Sequence, residues 1–525
     1  MSAAASLCIA TAANAGELSD LKGQSEQLRQ QNEILTKKIA DLERRQRRLE
    51  VGPAAAPRAS ASKTSAPKAS AQATANPADA MAATYKAVVK KLDQDDSLTW
   101  HGITLYGQVD VGAVYQNHGA PLNNSAGGGW NYLIAKNSNG SQFGVAPNPF
   151  GGSYIGLKGK QELTDGLFGV FNLQTAFNPQ SGKLSDGLGS IVQNNGLAVG
   201  AQNSFADSAR DGQPFNIAAW GGLSSPVYGT LTFGRQASLT SDGIVAYDPL
   251  GSSLAFSLIG FQGATGGGGA TEDRILDRAL KYAVSYGGFH AAVETSIGAQ
   301  DGAGPRSFVQ GQVGGDYLGL SVDAVVGKIT DAVTSAPLPV GTVLPASLIN
   351  PGNGFVAGTV SDNTSVMLLA KYVYGPLKLF GGYEHMDFAN PKTPLAAGNN
   401  FLAGYTLGTV NNTAFATDKI LQVFWTGAKY AVRSDLELTV AYYHEEQNSF
   451  QGGTPATLNL GRCKDASLAQ CSGQIDAVSF VADYKLSPHA NAYAGMMWSQ
   501  VSNGLANGFL QRSSIDPTVG FRYQF

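Results

Sequence analysis

From Trp100 to the last residue the chain falls into short runs of alternating apolar and polar side chains, and the links between the runs are by turns very short and long. TDG, PVYG, GGF, GP, RSD and PHA are tight turns; the links between them are mostly long and rich in Gly and Asn. Few folds place short connections on one rim and long ones on the other. A closed transmembrane β-barrel does, and an even strand count returns both of its ends to the same side. The spacing predicts sixteen strands, over 103–115, 153–162, 167–177, 213–223, 228–235, 277–286, 289–298 and 307–315, then 317–329, 364–374, 377–386, 419–431, 435–446, 475–486, 490–501 and 514–525.

Side-chain facing agrees with that reading, because alternate residues of a strand point to opposite faces. Leu436, Leu438, Val440 and Tyr442 share one face, and Glu437, Thr439, Tyr443 and Glu445 the other. Val478, Phe480, Ala482 and Tyr484 oppose Ser479, Asp483 and Lys485 in the same way, and Leu318, Leu320, Val322, Ala324 and Val326 oppose Ser321 and Asp323. One face suits lipid and the other water. The strand containing FWTGAKYAV does not sort by this rule. Only 14% of the chain is charged and its mean hydropathy is −0.08, as expected where lipid and lumen faces average out. No run of 18 apolar residues is present to span a bilayer as a helix. An open edge in hydrocarbon would leave backbone groups unpaired at several kcal/mol each, so the sheet must close. Sixteen strands leave a lumen too wide for side chains to fill.

Before the strands stand three other segments. Residues 1–15 read as an export signal ending in Ala13-Asn14-Ala15, without the usual basic start. Residues 16–50 carry Leu21, Leu28, Leu35, Leu42 and Leu49 at seven-residue spacing, with Leu18, Ser25, Asn32, Ile39 and Gln46 at the other seam position. That half-polar seam predicts a short α-helical coiled coil, a stem on the periplasmic side, with dimer and trimer both open. Residues 51–100 are an Ala/Pro/Ser-rich linker that cannot build a core; the β-barrel is expected over 101–525.

The barrel segment resembles the trimeric Gram-negative general porins, through TLYGQVDVGAVY, GSYIGLKGKQELTDGLFGVFNLQTAF, YGTLTFGRQ followed by AYDPLG, and the closing PTVGFRYQF. The resemblance implies an outer-membrane porin, a homotrimer in lipid and lipopolysaccharide, passing small hydrophilic solutes and ions by passive diffusion. It also implies that Phe525 is read by the barrel-insertion machinery. In such proteins the third long loop folds inward as a constriction; here that loop covers about 236–276. It would present Asp242, Asp248, Glu272 and Asp273 to a basic wall of Lys158, Lys160, Arg235, Arg274, Arg278, Lys281, Lys378 and Arg522. Strict alternation places Arg235 beside Leu231 and Phe233, on the lipid side, unless a bulge reorients it. A solute-selective channel is one alternative. Another is an envelope tether touching peptidoglycan through residues 16–95.

Cys463 and Cys471 are an even pair in the chain beyond the expected export signal, suited to an oxidising compartment. Joined, they would close a small ring worth about 2.5 kcal/mol; the alternative is two separate thiols. The scattered histidines form no metal or catalytic constellation, and no G-x-S-x-G, H-x-x-x-H or C-x-x-C occurs, so neither a catalytic residue, a metal nor a cofactor is expected. A net charge of −3 gives no general attraction for nucleic acid.

Overall fold

The computed structural model describes residues 98–118, 140–182, 184, 214–261, 275–297, 307–336, 356–392, 394, 400–402, 405–413, 415, 417–450, 471–506 and 511–525. The chain divides into two units, Met1–Ala82 and Ala83–Phe525, and every described residue lies in the second. The expected export signal, heptad stem and most of the linker lie outside the described residues.

Among the described residues a single sheet of 21 strands contains sixteen that form a closed wall. They are β1 (Ile103–Gln116), β2 (Ser153–Thr164), β3 (Leu167–Phe177), β4 (Ala218–Ser225), β5 (Gly229–Ala237), β6 (Ile275–Tyr286), β7 (Phe289–Ser296) and β8 (Ser307–Tyr317). The second half is β9 (Leu320–Ala336), β10 (Val356–Tyr374), β11 (Leu377–Ala389), β12 (Lys419–Arg433), β13 (Leu436–Gln447), β14 (Gly473–Lys485), β15 (Ala490–Asn503) and β16 (Thr518–Gln524). Each strand pairs antiparallel with the next, and β16 returns to β1 through Gln108↔Gln524 to Val114↔Thr518. That last pairing removes the edge, the condition a strand wall must meet in hydrocarbon.

Every expected strand is found, and the shifted ends have local causes. β4 starts five residues later than the pattern suggests because Asn216 stands in for a strand residue: its side-chain oxygen accepts from Ala176 N at 2.8 Å and its amide donates to Ala176 O at 3.0 Å. β16 is shortened by Pro517, which has no N–H to give the ladder; Ser513–Ile515 pairs separately with β15. β9 and β10 run on past the expected rim as one long hairpin, across a register shift between Ile329 and Ala332. The pattern missed Gln142–Pro147, which pairs with the upper part of β1 while β2 takes the lower part.

Outward positions carry the apolar belt. Tyr286, Phe289, Tyr317, Tyr374, Tyr430 and Tyr523 are exposed near the short turns, the aromatic girdle expected where barrel meets headgroups. The FWTGAKYAV strand is resolved too: Phe424, Tyr430 and Val432 are exposed, while Trp425 is buried inside. Trp425 is apolar yet faces inward because its Nε1 donates to Tyr247 O at 3.1 Å on a loop filling the lumen, so the alternation of hydropathy fails there for a tertiary reason.

The seam between first and last strands is tight. Phe525 N donates to Gly107 O at 3.0 Å and Gly107 N to Phe525 O at 2.9 Å; below them Thr99–Trp100, assigned by the sequence to the linker, pairs with Ile103–Thr104. A Cβ on Gly107 would stand 2.5 Å from the Phe525 ring and 2.8 Å from Tyr154 O. Gly107→Leu is therefore expected to displace the terminal ring and weaken the fold by about 1–3 kcal/mol. The unfolding midpoint in detergent measures it, and an unchanged midpoint would contradict this account of the seam.

Candidate functional site

Leaving β5, the chain turns inward. Ser238 caps the helix α1 (Leu239–Tyr247), its hydroxyl accepting from Ser241 N at 3.2 Å, and Asp242 sits in the first turn, where the helix dipole favours negative charge. Leu239, Ile244 and Tyr247 are buried, as are Leu250, Phe256, Leu258 and Ile259 beyond the helix. They pack on inward residues of the wall, among them Val325, Met367, Leu421, Val423, Tyr443 and Met497. Each large apolar side chain removed from water contributes about 1.5–3 kcal/mol, so burial holds the loop and hydrogen bonds fix its path.

Those bonds run round the lumen. Leu239 N donates to Gln310 Oε1 on β8 (2.8 Å), the Tyr247 hydroxyl to Asp323 on β9 (2.5 Å), and the Ser479 hydroxyl of β14 to Phe256 O (2.6 Å). On β12, Gly427 lets the loop lie against the wall: a Cβ there would be 2.5 Å from Pro249 Cγ. The far end rests on the kink between Gln142–Pro147 and β2, where Ala255 N and the Ser253 hydroxyl donate to Pro149 O at 2.8 and 3.0 Å. This kink is itself held by buried Asp110, whose carboxylate accepts from Phe150 N (2.8 Å), Gly151 N (2.6 Å) and the Tyr493 hydroxyl (2.5 Å). The third loop thus lies inside the barrel along the wall from β8 to β15 and across to β1.

The expected charges sort differently from the expectation. Asp248 is not a lumen carboxylate: it is 2% exposed and accepts from the Tyr443 hydroxyl (2.6 Å), Ser252 N (2.6 Å) and Leu250 N (3.2 Å). It anchors the loop. Burial pushes its carboxyl above the ordinary range, and the Tyr443 bond offsets part of that rise. Asp242 does meet the basic wall, through Lys281 Nζ at 2.7 Å; the same ammonium donates to Ala237 O (2.6 Å) and stands 3.7 Å from Glu294. Glu272, Asp273 and Arg274 lie outside the described residues.

Arg235 keeps the parity of Leu231 and Phe233, since the extra residue of the register shift lies on β6: Gly234 pairs with Ala279 and Gln236 with Leu276. Its guanidinium donates to Asn216 O (2.9 and 2.7 Å) and to Asp277 (2.5 Å), a structural pair at the long-loop end of the wall instead of a free lumen cation. Arg278 occupies that irregularity with φ 53°. Lys158 and Lys160 share the parity of Tyr154 and are exposed, lying over the rings of Tyr106 (5.0 Å) and Phe168 (4.2 Å). Arg522 reaches Asp483 at 3.5 Å and stacks on Phe150 at 4.6 Å; Lys378 lies 3.4 Å from Glu437. Phe525 closes the seam described above. Cys471 is disulfide-bonded, and its expected partner Cys463 lies outside the described residues.

Sequence reasoning missed Phe150, Tyr154, Val245, Leu250 and Lys429 as parts of the lumen. The APNPF segment was a signal for the kink; nothing in the residues around Val245 marks it as facing water.

The profile of a family described as Gram-negative porin matches residues 64–504. An outer membrane porin protein of Bordetella pertussis is 30% identical over 200 residues, 38% of this chain and 43% of that protein, so the match spans under half of the relative. An anion-selective porin from Comamonas acidovorans shares the fold at a TM-score of 0.52 and 17% identity, over 81% of this chain and 99% of that one. A loop L8 deletion mutant of OmpT, an outer membrane protein of Vibrio cholerae, does so at 0.50 and 14%, over 81% and 99%.

Proposed function

The chain belongs to the Gram-negative porin family, and from that premise we propose that it forms a water-filled channel in the outer membrane for passive diffusion of small hydrophilic solutes and ions. The observation that carries this reading is the third loop. Its described part packs against the inner wall from β8 to β15 and leaves beneath itself, towards the short turns, a cavity of about 610 Å³ bordered by β1, β2, β11 to β14 and β16. The wall around that cavity carries charge of both signs, Lys378, Lys429, Lys485 and Arg522 beside Glu437 and Asp483, and charges bordering a confined space orient dipolar solutes.

Three finer points belong to the same reading. The barrel assembles as a homotrimer among outer-membrane lipid and lipopolysaccharide, residues 16–50 forming a periplasmic coiled-coil stem that joins the protomers. Phe525 serves the insertion machinery before it closes the seam. The linker spans from stem to wall, with a peptidoglycan contact as its alternative role.

Planar-bilayer recording tests the proposal. Purified full-length protein in KCl is expected to give ohmic steps in groups of three, and protein that inserts yet never conducts would overturn the channel reading. Steps arriving singly would count against the trimer alone.

A further inference from the structure

The cavity below the third loop runs down to the short turns and has two unlike surfaces. One is apolar. Phe150 and Tyr154 line it from the wall, Val245 and Leu250 from the loop. Val245 stands out: its helix neighbours Ile244 and Tyr247 are buried against the wall, yet Val245 is 52% exposed and lines the cavity. An apolar side chain left exposed inside the barrel gains little from the fold.

The other surface is cationic by a margin that pairing makes explicit. Lys378 and Lys429 each lie 3.4 Å from the single carboxylate of Glu437, so one positive charge of the three groups remains. Arg522 is balanced by Asp483 at 3.5 Å, and Arg433 by Asp435 at 2.9 Å. Lys485 also lines the cavity and has no carboxylate within ion-pair distance among the described residues. Two net positive charges therefore border the same space as the apolar face. Arg522 joins the two surfaces through its stacking on Phe150.

We propose that this cavity is a binding subsite for small aromatic carboxylates, the ring taken between the apolar residues of loop and wall and the carboxylate directed to the Lys378–Lys429 pair and Lys485. The proposal rests on the channel reading above and deepens it. Size agrees, because about 610 Å³ falls in the roughly 300–1,000 Å³ range of small-molecule sites. Charge separates the candidates: an aromatic cation is repelled, a neutral aromatic leaves the ammoniums unmatched, and a short aliphatic carboxylate lacks the ring contact.

The test uses the full-length protein in a planar bilayer with KCl, adding sodium benzoate, sodium acetate or benzyl alcohol. Benzoate is expected to reduce the open-channel current with half-block at about fivefold lower concentration than acetate or better, the size of a ring contact, and benzyl alcohol to leave the current unaltered. Val245→Ser and Tyr154→Ser should each bring the benzoate-to-acetate ratio towards one. Lys378→Gln with Lys429→Gln should weaken both anions together. Equal block by benzoate and acetate in the unaltered protein overturns the proposal while the KCl steps leave the channel reading standing; so does a ratio that survives both Val245→Ser and Tyr154→Ser. Absence of KCl steps sinks the channel reading and this proposal with it.

Discussion

Asp248→Ala is expected to loosen the third loop from the wall and turn a steady open level into a noisy one of higher mean conductance. The substitution leaves the buried Tyr443 hydroxyl and the Leu250 and Ser252 amides without their acceptor, a penalty of about 2–4 kcal/mol against the docked loop. Single-channel recording reads it directly; a variant as quiet as the parent, at the same conductance, would show that apolar packing alone holds the loop. The same carboxyl predicts a pH dependence. Burial raises its proton affinity in the docked loop above that of the released one, so docking takes up a proton. That contribution is fully present below the released-loop value of about 3.9 and is lost as pH rises through the docked value. Noise should therefore grow as pH is raised from about 4, and Asp248→Asn should flatten the rise because its side chain cannot titrate. Noise that falls with rising pH in the parent would contradict the anchoring role.

Lys281→Met is expected to destabilise the wall where the third loop leaves it. Lys281 serves Asp242 on the loop and Glu294 on β7, and the Glu294 side chain is 0% exposed with neither oxygen hydrogen-bonded. Its removal leaves a buried acid without its neighbouring cation; the acid can take up a proton instead of staying charged, so the cost is about 1–3 kcal/mol. The midpoint of heat unfolding in detergent, followed by circular dichroism, should fall well below that of the parent. Glu294→Gln added to Lys281→Met should recover much of the loss. If the single variant unfolds with the parent, the ion pair has no structural weight; if the double variant is no better than the single, the damage lies at Asp242.

The wall was legible because its code is local. Period-two alternation and unequal connections put β13 and β14 on the page with their faces assigned. Even the awkward parity of Arg235 could be read, although not the Asp277 carboxylate and Asn216 carbonyl that satisfy it. The code failed where the lumen is filled by protein. Trp425 is apolar and inward, Val245 apolar and wet, and Asp248 charged and dry; each inverts the expectation because the third loop supplies its surroundings.

The sequence by itself determined a closed sheet of sixteen strands, its two rims and most side-chain facings, since backbone pairing in hydrocarbon permits no other arrangement of such alternating runs. Tertiary structure alone decided which of the expected charges stay open to the lumen and which the third loop buries. A lumen face contacts whatever the long loops bring to it, and the packing of Leu239, Leu250 and Phe256 against strands far away in the chain turned one expected pore carboxylate into an anchor and placed a valine in the water.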